Sequence, residues 1–72
     1  MVKTIVGVEG MMCSMCEAHI NDAIRKNFTV KKVKSNRKKN MTEIVSEERL
    51  DHDKVKAVID STGYTFTGIT EE

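Results

Sequence analysis

The stretch Val2-Lys3-Thr4-Ile5-Val6-Gly7-Val8-Glu9-Gly10-Met11-Met12-Cys13-Ser14-Met15-Cys16 changes period in the middle, and the change decides the fold. Residues 2–8 are rich in β-branched side chains, with Val2, Thr4, Val6 and Val8 on one face, which predicts a strand. Glu9-Gly10 breaks the alternation. From Ser14 the apolar positions fall at helical spacing: Cys16, Ile20, Ala23 and Ile24 form one stripe, with Glu17, Asn21, Asp22 and Arg25 outside it. Asn27 is the expected stop.

Working outward, Val30-Lys-Lys-Val-Lys34 predicts a second strand whose lysines suit a sheet edge. Residues 35–40 form a polar turn, and Met41 to Ser46 a third strand, so the two make a hairpin. Asp51 is the expected N-cap of a helix over 52–62, with Val55, Val58, Ile59 and Thr62 at 3/4 spacing. Gly63 stands where a left-handed residue ends a helix. Residues 64–69 alternate again as a fourth strand. The order βαββαβ predicts an α+β, ferredoxin-like fold: a four-stranded antiparallel sheet with two helices on one face.

Seventy-two residues suit a single domain over 1–72, one that buries only about 60% of its unfolded surface. That leaves little room for a deep substrate cleft beside a core, and no acid pairs with a nucleophile as catalysis needs, so the chain reads as a non-enzyme. No apolar run approaches the ~20 residues that span a bilayer, and no signal-peptide core opens the chain. These features predict a cytoplasmic protein without membrane insertion, in a compartment where thiols stay reduced. Met1 and the absence of a trailing linker favour a free protein over an excised domain.

The net charge of +1 hides an asymmetry: Arg25, Lys26, Lys31, Lys32, Lys34, Arg37, Lys38 and Lys39 fall in residues 25–39, without an acid among them. A solvated face is the first explanation of such a run. In a βαββαβ fold, however, the turn carrying Arg37, Lys38 and Lys39 lies at the same end as the cysteine loop, where cations favour thiolates and attract an acidic partner. Phe28, Tyr64 and Phe66 are not grouped as stacking platforms, which argues against nucleic acid.

Cys13 and Cys16 are the only cysteines. Two thiols at that spacing, at the mouth of a helix, can point their sulfurs at one ion. The helix N-terminus favours the thiolate, and thiolates beside thioethers make a soft site. Structural zinc or an iron–sulfur cluster needs about four ligands, which one chain could meet only by pooling thiols in a dimer. A thioredoxin-like dithiol is the remaining alternative, but with no proline the chain cannot supply the cis-proline that faces the dithiol in that family.

The segments Val8-Glu9-Gly10-Met11-Met12-Cys13-Ser14-Met15-Cys16 and Ala57-Val58-Ile59-Asp60-Ser61-Thr62-Gly63-Tyr64 resemble the heavy-metal-associated domains. Those are bacterial copper chaperones, N-terminal modules of metal-transporting P-type ATPases, and mercury-binding proteins. The resemblance covers nearly the whole chain and is strongest to the bacterial copper chaperones. It implies Cu(I) held by Cys13 and Cys16 in near-linear geometry, Met11 packed under the loop, and Tyr64 beside the metal. It also implies delivery to a P-type ATPase or similar Cys-X-X-Cys domain, and allows a homodimer bridged by the metal. Mercury or zinc handling is the alternative within the family. Two positions depart from its pattern. Met12 replaces the usual Thr, Ser, His or Asp and bears on metal choice, while Asn27-Phe28-Thr29-Val30 replaces a Gly-Val turn. His19, one turn beyond Cys16, can face the site, although a solvated histidine is the plainer expectation.

Overall fold

The structure, a computed structural model, describes residues 1–12 and 14–72. Its elements are β1 (Val2–Glu9), α1 (Ser14–Asn27), β2 (Lys32–Asn36), β3 (Met41–Ser46), α2 (His52–Ser61) and β4 (Thr65–Glu71). The strands form one antiparallel sheet in the order β2-β3-β1-β4. β1, the most apolar strand, takes a central position and the lysine-bearing β2 an edge, as expected of strands sorted by how much of each can be buried.

Alternation along β1 buries Thr4, Val6 and Val8 on the face that both helices cover. Ile20 and Ile24 of α1 and Val55, Val58 and Ile59 of α2 meet that face, together with Val33 and Ile44 from the hairpin. The expected fold is therefore the observed one. Asp51 caps α2, its carboxylate accepting from the N–H groups of Asp53 (3.0 Å) and Lys54 (3.3 Å). Thr62 is the C-cap and Gly63 follows with φ +89°.

Two strands differ in extent from their sequence patterns. β2 begins at Lys32 rather than Val30 and takes in Ser35 and Asn36, which composition assigns to a turn. Ser35 is buried because its hydroxyl donates to Asn21 Oδ1 of α1 (2.7 Å) and lies 3.0 Å from the Thr42 hydroxyl. Asn21 is thus a sheet contact and not a solvated residue. β4 begins at Thr65 and runs on to Glu71, and beyond it the main chains of Lys3 and Glu72 bond to each other.

Phe66 and Ile69 are three residues apart, so a regular strand would send them to opposite faces. A register shift between Gly7 and Val8 resolves this: Val8 faces Phe66, Gly7 faces Gly68 and Val6 faces Ile69, leaving Thr67 as the extra residue of a bulge. A Cβ at Gly7 would run into Thr67 Oγ1, which explains glycine there.

Thr4 Oγ1 is buried without a hydrogen-bond partner among the described residues. An unmet buried hydroxyl costs about 1–3 kcal/mol. Thr4→Val, of the same shape, is expected to stabilise the fold by about 1 kcal/mol. That raises the midpoint by about 4–8 °C in a domain of this size, measurable by thermal melting.

At the end of the sheet remote from Gly10, Arg49 Nε donates to Glu71 Oε2 (2.7 Å), and His52 Nε2 bonds the other carboxylate oxygen. The Arg49 hydrogen bond, followed by His52, holds the Glu71 carboxyl below its ordinary value of 4.5, against an upward push from burial. A depressed carboxylate stabilises the fold fully above its unfolded pKa and loses that contribution as pH falls through the lower folded value. The stability difference between the native chain and Glu71→Gln should therefore be largest above about pH 5 and vanish in stronger acid. Denaturant melts across that range test it.

Candidate metal centre

β1 delivers the chain to one end of the sheet, and three connections meet there. The N–H of Val8 donates to the Asn40 carbonyl in the β2–β3 turn (2.8 Å), and Glu9 lies opposite Thr65, the first residue of β4. Gly10 then turns the chain off the sheet with φ +98°, a conformation that a side chain disfavours. Tyr64 packs close over it: a Cβ on Gly10 would lie 3.5 Å from the Tyr64 ring.

Met11 folds back into the core at 6% exposure and anchors the loop from beneath, as the resemblance implies. Met12 stands out into solvent. α1 opens at Ser14, and Cys16 in its first turn is half-buried and packed against the core. The expectation for Cys13 lies outside the described residues.

Sequence periodicity puts Glu17 among solvated residues, and the structure corrects this. Its carboxylate accepts from the Arg37 backbone N–H (2.8 Å) and guanidinium (3.2 Å), tying the first turn of α1 to the β2–β3 turn. An acid there also suits the positive end of the helix. The consequence reaches the basic rim. Arg37 is neutralised by Glu17, whereas Lys38 and Lys39 remain exposed, with their backbone N–H groups bonded to Asn36 Oδ1. The one signal for this in the sequence is the placement of Glu17 and Asn21 four apart, a polar row beside the apolar stripe.

His19 is exposed and borders an open groove between α1 and the end of α2, with Ala23, Ser61 and Thr62. Among the described residues no three His, Cys, Asp or Glu side chains come together as a metal-binding group. No described helix is long and apolar enough to cross a membrane.

An open ferredoxin-like sandwich with a loop of this kind leading into its first helix is similar to the heavy-metal-associated domains, and the resemblance read from the sequence is borne out over the whole fold. Three solved structures illustrate it. The yeast copper transporter domain Ccc2a, solved in apo and Cu(I)-loaded states, is 26% identical, covering 92% of each chain with a TM-score of 0.79. The CopZ metallochaperone is 21% identical over 90% of this chain and 98% of its own, TM-score 0.79. A copper-binding domain from HMA7, a P-type ATPase, is 24% identical over 96% and 97%, TM-score 0.79. No protein-family model and no curated protein matches the sequence.

Proposed function

We propose that this chain carries Cu(I), held between the thiolates of Cys13 and Cys16, and passes it to a similar Cys-X-X-Cys domain such as one on a metal-transporting P-type ATPase. The observation that carries the reading is the setting of Cys16. It is a half-buried thiol in the first turn of α1, with one exposed thioether beside it in that turn and another just before the helix. The fold is one that copper-binding domains share. The positive end of α1 favours the thiolate, and sulfur donors favour a soft monovalent ion.

Transfer needs no catalytic base. A thiolate of the partner adds to the ion to make a three-coordinate intermediate, after which one original sulfur leaves and takes up a proton. Tyr64, packed over the loop, limits water at the site. Lys38 and Lys39, which form no ion pair among the described residues, offer charge at the same end to an acidic partner, while Arg37 is committed to Glu17. A reducing compartment such as the cytosol keeps both thiols available.

Metal preference tests the reading against zinc handling. Zn²⁺ seeks about four ligands and binds a thioether poorly. The two thiolates, with Met12 in place of a hard oxygen, should therefore retain Cu(I) against excess Zn²⁺ in anaerobic competition titrations. Met12→Asp should narrow the gap, and His19→Ala should leave Cu(I) affinity nearly unchanged. Zn²⁺ held as tightly as Cu(I), or Cu(I) lost on His19→Ala, would overturn the two-coordinate soft site.

A further inference from the structure

The large hydrophobic side chains most exposed among the described residues are all methionines: Met1 at 83%, Met12 at 85%, Met15 at 67% and Met41 at 36%. Burial cannot account for that choice, since a leucine in these places would be as exposed. Met1 is the chain start. Met12 and Met15 lie three residues apart, one before α1 and one in its first turn, while Met11 next to Met12 in the chain is buried. The sequence repeats a dipeptide there, Met12-Cys13 and Met15-Cys16, so each cysteine is preceded by an exposed thioether.

We infer that Met12 and Met15 form a thioether pair that takes a soft monovalent ion, Cu(I) or Ag(I), from solution ahead of the cysteines. Residues three apart are separated by about 10 Å at most even in extended chain. Methionine has three rotatable bonds and a polarizable sulfur, and neither arm is packed, so both sulfurs can reach one ion. Thioethers are soft donors that suit Cu(I). They are also neutral and bind without losing a proton, whereas a thiol gives one up to bind as a thiolate. Passage inward breaks the two thioether bonds and forms two thiolate bonds, and each thiol that takes the ion releases one proton to solvent. The destination rests on the proposed Cu(I) site, but capture by the thioethers does not.

The test uses the full chain carrying Cys13→Ser and Cys16→Ser, labelled at the methionine methyls and titrated with Ag(I), with amide spectra reporting the fold. The Met12 and Met15 methyl resonances should move together and saturate at about tenfold or more lower Ag(I) than Met1, because the second sulfur binds intramolecularly. Met11 should not move. Met12→Leu should then raise the concentration at which Met15 responds to that of Met1. Should the serine variant not fold, the native chain serves. There Met12→Leu with Met15→Leu should slow Cu(I) uptake several-fold at limiting Cu(I), with the final stoichiometry unchanged. If Met12 and Met15 only track Met1, or Met15 ignores Met12→Leu, the pair is not a site and the exposed methionines are surface for a partner. That result leaves the cysteine reading standing. Conversely, a responsive pair in a chain whose cysteines hold no Cu(I) would sink the carrier and keep the pair.

Discussion

Serine at either Cys13 or Cys16 is expected to abolish stoichiometric Cu(I) binding while the apo fold melts within about 1 kcal/mol of the native chain. Serine keeps the shape of cysteine but replaces a soft anionic donor by a hard, neutral hydroxyl. Cys16 is only half-buried, so little packing is lost with its sulfur. Binding would be read by anaerobic competition with a chelator of known affinity. A second readout is thermal: a ligand at a hundred times its Kd raises stability by about 2.7 kcal/mol, and both single variants should lose that increment. Tight one-to-one binding retained by both would remove the proposed function at its root.

The other large effect lies in the core. Ile20 is fully buried on α1, one turn beyond Cys16, where the helix meets the sheet. Ile20→Ala should cost about 2–5 kcal/mol through lost transfer energy and the cavity left behind. A chain of 72 residues has about 4–11 kcal/mol in total. The variant therefore sits near its folding limit, with a midpoint lowered by about 8 °C or more at about 4–8 °C per kcal/mol. Cu(I) should restore part of the loss, because an ion that binds only the folded chain shifts the equilibrium toward it. Met15→Ala, on the exposed side of the same turn, should stay within about 0.5 kcal/mol of the native chain. Equal shifts for the two variants would mean that α1 is not seated on the sheet through Ile20.

The sequence by itself determined the parts of this protein that depend on near neighbours. The alternation of Thr4, Val6 and Val8, the Asp51 cap, Gly63 after α2 and the stripe ending in Ile20 and Ile24 are local signals. Each names its element because backbone geometry ties periodicity and capping to sequence spacing. The break at Gly10 and the start of α1 at Ser14 were legible for the same reason. Tertiary structure decided what depends on residues far apart. Ser35 belongs to β2 because Asn21, fourteen residues earlier, reaches it. Glu17 silences Arg37 across twenty residues and so leaves the basic rim to Lys38 and Lys39. Phe66 and Ile69 share a face only because β1 and β4 slip by one residue at Gly7. No window of sequence contains both partners of such a contact, and a hydrogen bond or bulge is set by whichever strand or helix the fold brings alongside.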